Sequence, residues 1–300
     1  MSAGKAISGT AFATLLLIAL MMGANHVAAR IAFNNGVDVA TAVVFRSAVT
    51  ALVIVAILAV QRVRVTFTAR HKRMLPAIGL LIGIQSLCLY SAVARLPVAL
   101  ALLAFNTYPI WTALWALVVY RQQPERAMLV AMPVILAGLA LALDVFGAAS
   151  GLGASGQWAR IGAGVAFALA AAATFGLALV ITQNEAGDVD GRVRTATTMA
   201  TAGVIALITV GLQGGFHLPQ APAGWGGLLA LTFLYGTAFT IMFTVLPKLG
   251  VVGNSAIMNV EPVFALVLAW LVLGQAIAPI QVGGALLVVA AVMVLGTRRK

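Results

Sequence analysis

The chain has 300 residues, 62% of them hydrophobic and 8% charged, with a formal net charge of +11. Soluble proteins are about 45–50% apolar and about 25% charged, so a water-soluble fold of this size could not cover its surface with so few polar groups. The basic residues are scattered between apolar runs and no nucleic-acid module is recognisable, which excludes a nucleic-acid partner. Cys88 is the single cysteine, which leaves no internal disulfide and no cysteine metal cluster.

A hydrocarbon core about 30 Å thick needs about 20 apolar helical residues to cross it. Ten runs meet that need, in chain order 11–33, 39–60, 74–96, 98–120, 127–146, 161–183, 195–212, 225–246, 251–273 and 279–296. The first follows Lys5 as a signal peptide would, but its apolar pattern runs past Met22 to Phe33, long for a signal core. Helices are expected because lipid offers no partner for a free backbone N–H or C=O. A closed β-barrel would show alternating segments of about 10 residues, and there are none. The fold class read here is therefore an all-α integral membrane protein of ten transmembrane helices. Gly79-x-x-x-Gly83 in the third run is a helix-packing pattern.

Lysine and arginine set the orientation. With the N-terminus in the cytoplasm, that side holds Lys5, Arg62, Arg64, Arg70, Lys72, Arg73, Arg121, Arg126, Arg192, Arg194, Lys248, Arg298, Arg299 and Lys300. Only Arg30, Arg95 and Arg160 fall at outer ends, and Arg46 lies within a span. Both termini are thus expected to be cytoplasmic, in a multi-pass protein of the cell (inner) membrane.

A stretch rich in Gly, Ala and Ser, residues 147–158, divides the chain into 1–146 and 159–300, with five runs in each part, and is expected to be an external linker. Its Gly151-Leu152-Gly153-Ala154-Ser155-Gly156 satisfies G-x-G-x-x-G but follows an apolar helix rather than a strand, so it is not a nucleotide fingerprint. The two parts match at one constant spacing. Asn106-Thr107-Tyr108-Pro109 pairs with Asn259-Val260-Glu261-Pro262, Tyr90 with Phe243, Arg95-Leu96 with Lys248-Leu249, and Val98 with Val251. Arg46 breaks the symmetry, since Ala200 is read as its counterpart. A duplicated unit of five helices must lie inverted relative to its copy, and inverted repeats with interrupted helices carry substrate sites near the midplane in secondary transporters.

The Gly23-Ala24-Asn25-His26 segment, Arg46, the Arg95-Leu96-Pro97 turn and the two Asn-x-x-Pro helices resemble the drug/metabolite transporter superfamily in its EamA branch. Within it the chain is most similar to YddG-type amino-acid exporters. The resemblance implies export of neutral or aromatic amino acids and related amphiphilic metabolites, by alternating access through a central cavity. Other cargoes of such carriers are nucleosides, nucleotide sugars and quaternary amines; an intramembrane enzyme would need a second catalytic group near Glu261 or His26, and none is convincing. No catalytic residue, metal ligand or cofactor is implied, and without a Walker motif no ATPase subunit is either. The partners expected are a small-molecule substrate and membrane lipid.

Ionisable groups inside spans mark sites by default. Glu261 is read as the seat of a substrate amine or coupling proton, or as a structural carboxylate. Arg46 is read as a clamp for a substrate carboxylate, as a structural pair with a carboxylate such as Asp144, or as snorkelling outward. His26 is a proton switch or a hydrogen-bonded bundle histidine. Asp144, near an outer end, reads as solvated. Pro109 and Pro262 each remove a backbone N–H and serve as kinks or hinges, with Asn106 and Asn259 three residues earlier. Tyr90, Tyr108, Trp111 and Trp115 are candidates to line an amphiphilic pocket, and Asn25 stands beside His26 on the substrate pathway. Trp158 and Trp225 read as interface anchors.

Overall fold

The computed structural model describes residues 9–63, 66–124, 126–245, 260–276 and 278–298. Lys5, Arg64, Lys248, Asn259, Arg299, Lys300 and the 247–250 turn lie outside the described residues. The described residues form eleven helices and no strand: α1 (Gly9–Asn34), α2 (Val39–Val60), α3 (Ala69–Arg95), α4 (Val98–Phe105), α5 (Tyr108–Tyr120), α6 (Arg126–Ala142), α7 (Gly153–Glu185), α8 (Gly191–Leu212), α9 (Pro222–Thr244), α10 (Glu261–Leu273) and α11 (Pro279–Arg298). Seven segments are long and apolar enough to cross a membrane, counting α4 and α5 as one crossing, and three shorter apolar helices accompany them. The side chains they turn outward are apolar, with Leu52 69%, Val130 71% and Phe233 67% exposed. Water would penalise such patches, whereas lipid solvates them.

Local chemistry sets the helix ends. Asp38 caps α2 by accepting the Thr41 N–H at 2.6 Å, and Asp190 caps α8 by accepting from Arg192 N–H. Thr68 and His71 form a capping box at the start of α3, which extends that helix five residues beyond the expected start at 74. Helix α7 likewise begins at Gly153 rather than 161, inside the stretch expected to be linker. Gly153 itself has φ +69, and small residues after it can follow the helix once that turn is made. Helix α6 ends at Ala142 rather than 146. There Asp144 adopts φ 49 and its carboxylate accepts the N–H groups of Ala149 and Ser150 at 3.0 and 2.8 Å. These bonds, that from Ala149 foremost, hold the Asp144 carboxyl below the usual carboxylate range. With only 7% of Asp144 exposed, it is a loop organiser rather than a solvated surface acid.

The fourth expected run is a broken helix. Helix α4 ends at Phe105, Asn106 and Thr107 turn, and α5 restarts at Tyr108. Pro109 therefore stands in the first turn of α5, where a missing N–H costs nothing, instead of kinking a continuous helix. Pro262 stands likewise in the first turn of α10. The spacing that takes Asn106 to Asn259 carries α5 onto α10, each 13 residues long, and carries the left-handed residue after α5, Arg121 with φ 55, onto Gly274 with φ 64.

Turn-to-turn contacts define two faces. On face one, Gln220 N–H donates to Asn35 O at 3.1 Å, His217 Nδ1 meets Asp38 Oδ2 at 2.6 Å, and Val98 N–H donates to Gln275 Oε1 at 3.1 Å. On face two, Tyr120 donates to Glu185 at 3.0 Å, His71 Nε2 meets Asp188 at 3.1 Å, and Arg70 lies 3.9 Å from Glu185 and 3.6 Å from Asp188. Successive crossings therefore alternate in direction. In the bundle α1 packs on α9 and α10, α7 packs on α3 and α5, α2 packs on α8 and α9, α3 packs on α8, α4 on α10, and α6 on α11.

Small residues make these crossings close. Gly79 lies against Thr201 and Gly83 against Ala202 and Ile205, so that motif closes the α3–α8 contact within the chain. Gly23 of α1 lies against the start of α10, and Gly176 of α7 against the start of α5. The tryptophans expected at interfaces, Trp158 and Trp225, are 45% and 41% exposed.

Candidate functional site

The starts of α5 and α10 put two helix N-termini against α7 and α1 inside the bundle, and the polar residues expected on a pathway gather beside the second of them. Glu261 opens α10, where its carboxylate complements the positive end of the helix. Its Oε1 lies 3.3 Å from His26 Nε2 of α1. Gly23, one turn before His26, makes that approach possible, because a Cβ there would stand 3.1 Å from Glu261 O and 3.0 Å from Ala265 N. His26 is buried, whereas the Glu261 side chain keeps 24% exposure, so the pair reaches open space on the glutamate side.

Tyr90 of α3 joins this pair to Arg46. It is fully buried, donates its hydroxyl to Asn25 Oδ1 at 2.9 Å, and meets His26 edge-to-face at 5.7 Å. The Arg46 guanidinium lies 4.4 Å from the Tyr90 ring centre and 4.1 Å from that of Tyr235. Its Nη2 donates to Ser86 Oγ at 2.6 Å, and Ser86 in turn donates to Gln85 Oε1 at 3.3 Å. Neither an Asp144 pair nor snorkelling accounts for Arg46. It is 3% exposed, and Asp144 is engaged by its own loop on face one. Arginine stacks on aromatic faces because its delocalised, weakly hydrated charge loses less on leaving water than an ammonium does.

The cluster is not saturated. Asn25 Nδ2, His26 Nδ1, Arg46 Nε, Ser47 Oγ and Thr50 Oγ1 are buried with no hydrogen-bond partner among the described residues. Buried polar groups are normally paired, so five neighbours in one region of one bundle call for an explanation. No group of three or more His, Cys, Asp or Glu side chains suited to a metal occurs among the described residues.

The expected site residues divide into two sets. Asn25, His26, Arg46, Tyr90 and Glu261 come together. Tyr108 instead packs with Phe105 and Phe175, at ring-centre distances of 5.7 and 5.2 Å. Trp111 touches Gly176 of α7, Trp115 donates its indole N–H to Ala173 O at 3.0 Å, and Asn106 ends α4 in a buried position. These residues belong to the α4–α5–α7 junction rather than to the Arg46 cluster.

Tyr235, Ser86, Gln85, Ser47, Thr50 and Met199 are additions that the sequence reading missed. Ser86 and Tyr90 stand one helical turn apart, a spacing that puts two polar tips on one face of an apolar helix and could have flagged Ser86. Tyr235 had no such partner in its own helix. The α8 residue at the cluster is Met199, whose Sδ lies 3.6 Å from Tyr235 Oη. Met199 rather than Ala200 is also the residue that stands as far from Arg46 as Asn259 does from Asn106.

On face one, a cavity of about 520 Å³ is lined by residues that include Phe33, Asp38, Ser91, Arg95 and Gln213. Phe33 stacks edge-to-face on Tyr90 at 5.7 Å, so an aromatic pair separates the cavity from the buried cluster.

A family model described as the EamA-like transporter family matches residues 9–143 and again 162–297. A solved crystal structure is similar at 18% identity and a TM-score of 0.61, covering 96% of this chain and 98% of the other, which speaks to the fold alone. No curated protein matches the sequence.

Proposed function

The chain belongs to the EamA-like transporter family of membrane carriers for small metabolites, and from that premise we propose that it is a secondary exporter or facilitator of neutral or aromatic amino acids. One observation carries this reading. A buried cation, Arg46, and a partly exposed acid, Glu261, belong to one polar cluster, joined through Tyr90 and His26, between helices drawn from both parts of the chain. A zwitterion presents the complementary charges, and apolar helix surface accepts its side chain.

Alternating access is the proposed mechanism. Exchanging α1 with α7, α2 with α8, α3 with α9, α4–α5 with α10 and α6 with α11 carries the most extensive helix contacts onto one another. The pair α1–α9 becomes α7–α3, α1–α10 becomes α7–α5, and α2–α9 becomes α8–α3. Ten crossings in two inverted repeats, 1–146 and 159–300, account for this exchange and for the two family matches. The repeats then rock about the cluster, with Pro109 and Pro262 at the hinge positions and the Asn106–Thr107 break as the flexible joint. Lysine and arginine place face two, with Arg62, Arg70, Lys72, Arg73, Arg121 and Arg192, in the cytoplasm, and both termini with it. The membrane is the cell (inner) membrane.

The test is efflux from proteoliposomes loaded with labelled leucine, phenylalanine or tryptophan. Protein-dependent flux of at least one is expected. No flux for any neutral amino acid removes the substrate assignment, and competition by unlabelled nucleosides or quaternary amines identifies another cargo.

A further inference from the structure

Face two carries an excess of cations. Arg62, Lys72, Arg73, Arg121 and Arg126 are exposed, and among the described residues none of them joins an ion pair. The acids of that face are engaged elsewhere: Glu185 with Tyr120 and Arg70, Asp188 with His71 and Arg70, and Asp190 with Arg192. Tyr120 and Arg70 both reach Glu185, which brings the end of α5 beside the start of α3. The α2–α3 and α5–α6 connections therefore share one basic surface.

Two of these arginines stand where the backbone disfavours them. Arg62 follows α2 with φ 49 and Arg121 follows α5 with φ 55, in the left-handed region that favours glycine. Among the described residues only Asp144 is a further non-glycine with positive φ, and its carboxylate organises its own loop. The counterparts of the two arginines on face one are glycines. Helix α8 has 22 residues like α2 and is followed by Gly214 with φ 92, and α10 has 13 residues like α5 and is followed by Gly274 with φ 64. The negative end of the helix dipole is present at all four places, so it does not explain arginine at two. An insertion signal does not explain it either, since a basic residue anywhere in the connection would serve. The left-handed position instead fixes where the guanidinium stands in the folded protein.

That place is the foot of the lipid-facing surface. On α3, Arg73 shares one helix face with the exposed Leu80 and Ile84, seven and eleven residues on. Exposed Val60 precedes Arg62, exposed Val118 and Val119 precede Arg121, and exposed Leu129 and Val130 follow Arg126. Each cation thus ends an apolar surface that acyl chains would cover. On face one, by contrast, Arg95 lies over the Phe167 ring and donates to Ser91 O, and Arg30 donates to Val93 O and Leu96 O.

We propose that the α2–α3 and α5–α6 connections form a docking surface for anionic phospholipid headgroups, with Arg62, Lys72, Arg73, Arg121 and Arg126 as its contacts. A headgroup of net negative charge supplies the missing counter-charge, whereas a zwitterionic one brings its own cation. The proposal is independent of the cargo and of the compartment that face two meets.

The experiment extracts the protein from vesicles of equal phosphatidylglycerol and phosphatidylcholine, and quantifies by mass spectrometry the lipid that stays with it through size exclusion. The native protein is expected to retain phosphatidylglycerol over phosphatidylcholine by about fivefold or more, the effect of one basic side chain near an anionic surface. Arg62→Gly with Arg121→Gly, and separately Lys72→Gln with Arg73→Gln, are each expected to lower that ratio toward unity. Arg95→Gln with Arg160→Gln removes the same charge from face one and is expected to leave the ratio unchanged. The glycine pair relieves the left-handed strain, so it is expected to unfold in detergent no earlier than the native protein, which separates lost lipid from lost fold. Equal native retention of the two lipids overturns the proposal. So does an unchanged ratio in both face-two pairs, and so does a loss in the face-one pair as large as theirs.

Discussion

Gly176→Ala tests whether the broken helix is held in place by close packing. A Cβ built at Gly176 stands 2.8 Å from Thr112 N, 3.0 Å from Trp111 Cβ and 3.1 Å from Trp111 C. Two of these three atoms are backbone, which cannot rotate away as a side chain can. Ordinary carbon contacts lie at about 3.5–4.0 Å, so α5 must retreat by about half an ångström or more. Overpacking of this kind costs about 1–3 kcal/mol. The atoms pushed belong to the first turns of α5, directly after the Asn106–Thr107 break. Gly23→Ala probes the matching crossing, where the contacts are 3.0–3.3 Å, and is expected to cost less. Thermal unfolding of purified protein in detergent measures the stability, and proteoliposome flux measures the consequence for transport. The expected order is native, then Gly23→Ala, then Gly176→Ala, in both. If Gly176→Ala unfolds and transports like the native protein, the start of α5 is free to shift, and the argument that this crossing is tightly fixed is wrong.

Tyr90→Phe strips one hydroxyl and leaves Asn25 Oδ1 buried without its donor, an expected loss of about 1–3 kcal/mol. Tyr235→Phe removes only a 3.6 Å contact to sulfur and should leave thermal stability nearly unchanged; equal losses would refute the distinction. The ion pairs at the two faces should oppose each other as latches. With a cysteine substituted for Ser91 beside the face-one cavity in a Cys88→Ala background, Asp38→Asn should speed labelling by an impermeant thiol reagent and Asp188→Asn should slow it. Identical rates in all three proteins would rule out that role. Asp144, with its carboxyl held low by the Ala149 and Ser150 N–H groups, stabilises its loop above the ordinary carboxylate range near pH 4, and that support is lost as pH falls through the lowered value. At neutral pH Asp144→Asn should therefore make the 143–152 loop as sensitive to proteolysis as acidified native protein, and unchanged cleavage would contradict this.

The membrane class and most helix positions were legible because lipid imposes a simple rule, long apolar helices with basic residues between them, and that rule is written locally. The correspondence of Tyr108-Pro109 with Glu261-Pro262 was legible too, since α5 and α10 keep the same length and ends. Helix ends were less so. Thr68 with His71 and the turn at Gly153 moved two starts outward, because a capping bond or a left-handed glycine can extend a helix beyond its apolar run. Pro109 was visible, but its effect depended on whether Asn106 and Thr107 would open a turn before it.

Sequence also nominated Asn25, His26, Arg46, Tyr90 and Glu261, because charge and polarity are conspicuous in an apolar span. Only the tertiary structure decided which of them meet. It paired His26 with Glu261, excluded Asp144 as the partner of Arg46, and supplied Tyr235 from a helix far along the chain. The reason is physical. Hydropathy is a property of a segment, whereas the compensation of a buried charge depends on groups brought within a few ångströms by the crossing of different helices.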